Sequence, residues 1–257
     1  MSSMLDGLGR LLVRFLTRPK LEARPVDARS LARLEAVLKP GDVLLVEGHA
    51  KISTAIKYLT QSTWSHAALY VGNTGARSEA GEPLVLVEVD IEHGCIVSPL
   101  SKYGAFGTRI CRPQGLDDDG CAAVIAYALS RLGTRYDLKN IVDLLRWLVP
   151  LPLVPSSWRR RMIALGSGDP TRAICSTLIA EAFERVGYPV LPTIEYAKAM
   201  GQRDIREILH IRHHSLYTPR DFDISPYFAV VKPTLEAGFD YKVLNWGDGP
   251  GPAAGQD

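Results

Sequence analysis

The sequence predicts an α+β fold, and three observations carry that prediction. Short apolar runs bounded by turn residues read as strands at 43–46, 64–71, 84–89 and 109–112. The helical stretches around them do not alternate with these strands one for one, as a doubly wound βαβ sheet requires. The chain has 257 residues, 46% hydrophobic and 23% charged, which supplies a core and excludes disordered, collagen-like and coiled-coil classes.

Residues 4–16 read as an amphipathic helix: Leu5, Leu8, Leu12 and Phe15 share one face, Arg10, Arg14 and Arg18 line another, and Pro19 stops it. Such a helix either lies in a membrane interface or docks on its own domain or a second copy of the chain. A second helix runs from Ser30, an expected N-cap, to about Leu38. Pro40-Gly41-Asp42 then turns the chain into strand 43–46. Residues 51–60 are helical, with Ile52, Ile56 and Leu59 on one face, and strand 64–71 ends at Gly72-Asn73. Strands follow at 84–89, 94–97 and 109–112, the last closed by Pro113. Asp117-Asp118-Asp119 opens a helix that continues through Val124 and Leu129 to Gly133, its acidic first turn suiting the positive end of the helix dipole. After a segment containing Pro150, Pro152 and Pro155, residues 174–186 form the strongest helix in the chain, ending at Gly187. Residues 227–231 have room for a last strand, and the Gly/Pro/Ala-rich tail 247–257 is expected to be disordered.

The charge balance is a net +2, without the basic stripe of a nucleic-acid binder. It is uneven: residues 1–40 carry +4 and residues 141–165 carry +3, leaving an acidic remainder. Four scattered cysteines (Cys95, Cys111, Cys121, Cys175) form no disulfide scaffold and no C-x-x-C zinc pair, so a reducing compartment is expected. No export signal and no run of about 18 apolar residues is present, and the expected location is the cytoplasm, with or without peripheral membrane contact.

Chemistry concentrates at three positions. Cys175 opens the 174–186 helix, where unpaired backbone N–H groups and the helix dipole stabilise a thiolate; the alternative is a small buried core residue. His66 lies in a strand on a face shared with Ala68 and Tyr70, where an imidazole must be hydrogen-bonded as a base or as a satisfied core group. Glu88 shares an apolar strand face with Leu84 and Leu86, and a buried carboxylate there needs a partner unless the strand end reaches water. His93, just beyond, competes for the third role. The adjacent His213-His214 would point to opposite sides of an extended segment, which is poor geometry for a metal, and neither metal nor cofactor is expected.

Taken in order, Gly41-Asp42-Val43-Leu44-Leu45, Trp64-Ser65-His66-Ala67-Ala68-Leu69-Tyr70-Val71-Gly72, Val87-Glu88-Val89, Leu132-Gly133-Thr134-Arg135-Tyr136-Asp137 and Ile174-Cys175-Ser176-Thr177-Leu178-Ile179 form a pattern over about residues 40–190, with an echo in Tyr217-Thr218-Pro219-Arg220-Asp221-Phe222. It resembles the circularly permuted branch of the NlpC-type cysteine peptidase superfamily, the YiiX/YebB-like group, and is more distantly similar to the lecithin retinol acyltransferase group. His66 precedes Cys175 by 109 residues, the permuted order. The resemblance implies a permuted papain-like fold with a small antiparallel, barrel-like sheet carrying His66 and Glu88 and a packed helix carrying Cys175. It also implies Cys175 as nucleophile, His66 as general base, Glu88 as the group orienting the base, and Tyr136 near the nucleophile, shaping the site or its oxyanion pocket.

The expected activity is a cysteine-dependent hydrolase or acyltransferase acting on an amide or ester through a thioacyl-enzyme. Its substrate is expected to be a small molecule, a lipid-linked compound or a peptide; the alternative is a catalytically silent binding or adaptor module. The expected organisation is a helical segment at 1–39, the hydrolase domain at 40–235 with an insert at about 138–168, and an extension at 236–257. In the insert, Trp147 and Trp158 stand beside Arg159-Arg160-Arg161, which suits a lid, a contact with a second copy, or an anionic membrane surface. Residues 4–18 and 144–161 are thus the candidate membrane contacts, and no nucleic-acid partner is expected.

Overall fold

The run Val43-Leu44-Leu45-Val46 lacks polar alternation, a pattern stable only where both faces of a sheet are covered. In this computed structural model it forms β1 (Val43–Glu47), an inner strand with residues 43–46 fully buried. The structure describes residues 28–90, 93–134, 174–198, 205–210 and 217–236, together with Gly238 and Lys242. The readings at 4–16, Tyr136, 138–168, His213-His214 and 247–257 lie outside them.

Helix α1 (Ala28–Val37) precedes β1, and α2 (Lys51–Thr60) follows it. Strands β2 (His66–Tyr70), β3 (Leu84–Asp90) and β4 (Gly94–Pro99) come next, then a 3₁₀ turn (Leu100–Tyr103) and β5 (Gly107–Pro113). After α3 (Asp118–Ser130) and α4 (Ile174–Arg185), a hairpin of β6 (Thr193–Lys198) and β7 (Ile205–His210) leads to α5 (Pro219–Ile224), β8 (Phe228–Val231) and α6 (Pro233–Glu236). The main sheet is antiparallel, in the order β4-β3-β2-β1-β5-β8. It has two edges, β4 and β8, and is therefore open where the sequence reading expected a barrel-like sheet. No helix among the described residues is long and apolar enough to cross a membrane.

Strand parity divides the core in two. Val43, Leu45, Ala67, Leu69, Val87 and Val89 face one side, where α4 covers them with Leu178, Ile179 and Phe183 and α3 adds Val124 and Ala128. Leu44, Val46, Ala68, Leu86 and Ile110 face the other, beneath Leu34 of α1, Leu38 just after it, and Leu100 and Tyr103 of the 3₁₀ turn. Each element read from the sequence within the described residues is found within three residues of its expected ends. Ser30 is a correction: the helix already includes Ala28, so Ser30 sits inside it and does not cap it. The β6–β7 hairpin and the two short helices flanking β8 have no counterpart in the sequence reading.

Polar locks join the layers. The Asp117 side chain caps α3 by accepting from the Gly120 N–H at 2.8 Å. The Tyr188 hydroxyl donates its one hydrogen between the carbonyls of Gln114 (2.9 Å) and Tyr227 (2.6 Å) and accepts from the Gln114 N–H at 2.8 Å, tying the chain after α4 to the ends of β5 and β8. Gly41 turns the chain into β1 at φ +90°, where an added Cβ would lie 2.8 Å from the Cys121 sulfur.

Beside it, Asp42, 1% exposed, receives Nε and Nη2 of Arg112 at 2.8 and 2.7 Å and the Lys39 N–H at 2.8 Å. Asp42→Ala leaves that guanidinium without its counter-charge and is expected to cost about 3 kcal/mol, since breaking a buried pair from one side exceeds the pair's net worth. Urea unfolding followed by circular dichroism measures it as a lower midpoint at unchanged slope.

Candidate active site

Two strands supply an imidazole and a carboxylate. His66 is the first residue of β2, and Glu88 lies on β3 on the same face of the sheet. Glu88 is 1% exposed, yet it has an imidazole in reach: His66 Nε2 and Glu88 Oε2 are 2.7 Å apart. An ionised carboxylate only accepts, so Nε2 carries the hydrogen and donates, leaving Nδ1 available to the thiol. Lys102 Nζ donates to Glu88 Oε1 at 2.7 Å, and the Tyr103 hydroxyl donates a short hydrogen bond to Oε2. The Tyr103 ring lies tilted against the imidazole at 5.9 Å.

Cys175 comes from the opposite face of the sheet. It is the second residue of α4 and belongs to the core cluster on the α4 side. The β2–β3 ladder ends at Leu69↔Val87, and beyond it the strands offer an unpaired edge. The Val71 N–H donates across to β3, at Val85. Parity therefore sends the Ala67 N–H, four residues earlier, towards the same gap. There it finds the sulfur: Cys175 Sγ accepts from the N–H groups of Ala67 and Ser176 and is hydrogen-bonded to His66. The Ser176 hydroxyl donates to the Tyr217 carbonyl at 2.7 Å, anchoring the first turn of α4 and giving the echo segment at 217–222 a place beside the cysteine helix.

Electrostatics follow from this row. Burial alone would lower His66, but the charge of the thiolate, its hydrogen bond and the Glu88 carboxylate reverse that and push the imidazole up to about 10. Burial alone would raise Cys175; the His66 charge and hydrogen bond, with the two backbone N–H groups, bring it below its ordinary value. Glu88 is treated likewise: burial pushes it up, while His66 and then Lys102 hold it well below the usual carboxylate range. Tyr103 is raised well above its ordinary value by burial and by the Glu88 charge, so it stays a donor. The other cysteines move the opposite way, burial pushing Cys95 up to about 11 and Cys111 up to about 12, with Cys121 also raised. An arrangement of this kind stores a thiolate–imidazolium pair, a nucleophile with its proton already on the acid that a leaving group needs.

Cys175, His66 and Glu88 are thus brought together. His93 is not part of the row: it is exposed at the β3–β4 turn, with Nδ1 2.9 Å from Asp90. Tyr136 lies outside the described residues. Sequence reasoning missed Lys102, Tyr103 and the Ala67 N–H. The first two reach Glu88 only because β4 and the 3₁₀ turn fold back over β3, and nothing in Leu100-Ser101-Lys102-Tyr103 signals that.

The fold is α+β with an open antiparallel sheet, and residues 37–144 match the family described as permuted papain-like amidase enzyme, YaeF/YiiX, C92 family. The match takes in His66 and Glu88 and stops short of Cys175. The chain is 22% identical over 169 residues to the probable lipoprotein peptidase YaeF of Escherichia coli (strain K12), an alignment covering 60% of this chain. The chain spans 58% of the length of that curated relative. A solved structure of YiiX from Escherichia coli O157:H7, described as a metalloprotein, aligns with 76% of this chain and 96% of its own at a TM-score of 0.43 and 16% identity.

Proposed function

We propose that the protein is a cysteine amidase or peptidase that works through a thioacyl-enzyme on Cys175. The observation that carries this reading is the contiguous row of sulfur, imidazole and buried carboxylate, with cysteine lowered and histidine raised. The thiolate attacks the carbonyl carbon of an amide or ester. The His66 imidazolium then gives its Nδ1 proton to the departing amine or alcohol. Neutral His66 next takes a proton from the acceptor that attacks the thioester, and the sulfur leaves as thiolate. Water as acceptor makes the reaction a hydrolysis; a second nucleophile makes it an acyl transfer. Glu88 keeps Nε2 protonated and the ring aimed at the sulfur.

The family match supports the hydrolytic outcome. A lipid-bearing substrate is supported by the description of YaeF as a probable lipoprotein peptidase and by the basic, apolar segments 4–18 and 144–161, which would make the peripheral membrane contact.

Alkylation tests the nucleophile. With iodoacetamide at pH 6 and peptide mass spectrometry, Cys175 is expected to be modified at least about tenfold faster than Cys95, Cys111 or Cys121, because it alone holds thiolate there. Equal, slow labelling of all four would remove the proposal.

A further inference from the structure

We infer that Lys102 and Tyr103 are positioning residues of this site: together they lock the Glu88 carboxylate, ionised and in one orientation, against His66. The inference rests on the proposed roles of Cys175 and His66. Both Glu88 oxygens are committed: Oε2 receives His66 Nε2–H and the Tyr103 hydroxyl, and Oε1 receives the Lys102 ammonium. A carboxylate held at one oxygen can swing about its last side-chain bond; one held at both cannot. The same turn also restrains the imidazole, since the Tyr103 ring packs against His66 and meets Phe106 edge-on at 6.0 Å. Phe106 in turn stacks on His49 at 5.5 Å.

Charge makes the lock more than a matter of shape. The titratable groups around Glu88 are His66 from β2, Asp90 on its own strand, Cys95 from β4, Lys102 and Tyr103 from the 3₁₀ turn, and Cys175 beyond His66. Within this set Lys102 brings an ammonium directly to the carboxylate. Its side chain is 38% exposed while Glu88 is 1% exposed, so the buried negative charge is matched by an ammonium that keeps much of its own hydration. Without it His66 alone opposes the effect of burial, so Glu88 moves towards protonation, and a neutral Glu88 no longer favours the imidazolium that holds the thiolate.

The test is the pH profile of Cys175 alkylation by iodoacetamide, followed by peptide mass spectrometry from pH 3 to 10, in wild type, Lys102→Met, Lys102→Arg and Tyr103→Phe. Lys102→Met is expected to move the acid limb up by about one pH unit, a tenfold loss of rate anywhere on that limb, and Lys102→Arg to restore it. Tyr103→Phe removes a neutral donor and should move the limb the same way by less, about two- to threefold in rate. A merely structural role would lower the thermal midpoint and leave the limb in place. If Lys102→Met does not fold, Lys102→Gln, which keeps a donor and loses the charge, is read in its place. An unmoved limb in both the uncharged Lys102 variant and Tyr103→Phe overturns the inference while leaving the cysteine reading intact. Ordinary thiol behaviour of Cys175 in wild type overturns that reading instead.

Discussion

Cys175→Ala is expected to lower turnover by at least about 10⁴-fold on any acylated substrate that the wild type cleaves, because the missing sulfur is the atom that carries the acyl group. A panel of N-acyl-peptide and fatty-acyl coumarin amides and esters supplies the measurement, with mass spectrometry to look for the acyl adduct on Cys175 in wild type. The fold should tolerate the change. The side chain is small, and alanine leaves the Ser176 anchor to Tyr217 and the apolar face of α4 in place. A large loss of activity with a nearly unchanged unfolding midpoint is thus the expected result, and full activity in the alanine variant would refute the assignment. Cys175→Ser should resemble alanine, since a hydroxyl is too weak an acid to pair with the imidazolium as the thiol does.

Glu88→Gln has the second largest expected effect, and it appears in two measurements. Glutamine keeps an acceptor for Nε2–H but removes the negative charge, so the imidazolium is less favoured and the thiolate with it. Turnover, and alkylation of Cys175 at pH 6, should fall on the order of 10²-fold. Stability should fall by about 2 kcal/mol at neutral pH, less than for a fully buried pair because Lys102 is partly hydrated.

The pH dependence of that loss has a definite sign. The Glu88 carboxyl sits below its ordinary 4.5 in the folded protein, so its contribution is present above that value and is lost as pH falls towards the folded value. The difference in stability between wild type and Glu88→Gln should therefore be flat above about pH 5 and shrink below it. His66, raised from 6.5 to about 10, would by itself give stability that is full below 6.5 and lost as pH rises to about 10. Cys175, lowered from 9.0, acts in the opposite sense. The two shifts therefore offset each other in the pH dependence of stability. A pH-stability difference that stayed constant down to pH 3 in urea unfolding would show that Glu88 is not held ionised by the fold.

Much of this was legible one residue at a time. Val43-Leu44-Leu45-Val46 announces an inner strand by its unbroken apolar run, and Asp117 announces the start of α3 by its capping side chain. His66 and Glu88 stood out because each is a polar group on an apolar strand face, a placement that costs energy unless a partner is found. Cys175 stood out by its place at the start of an apolar helix. Local periodicity reports such facts because burial acts on each side chain separately.

Other features had no local signature. The openness of the sheet is set by which strands pair, with β8 joining β5 from more than a hundred residues away, and no single strand encodes that. The choice of Glu88 over His93 turned on direction: both follow the same apolar run, but parity points Glu88 inward to His66 while the chain turn carries His93 out to Asp90. Lys102 and Tyr103 reach the site only after β4 folds back along β3.

By itself, the sequence determined the α+β class, the elements of the main sheet, and the three side chains whose chemistry demands a partner. Tertiary structure decided who those partners are. Cys175 lies among the α4-side core and Glu88 on the opposite face, yet both reach one imidazole at the start of β2, where the sulfur also accepts from the neighbouring Ala67 N–H. Hydrogen bonds and ion pairs are short-ranged and directional, so they exist only once distant segments are packed to within about 3 Å.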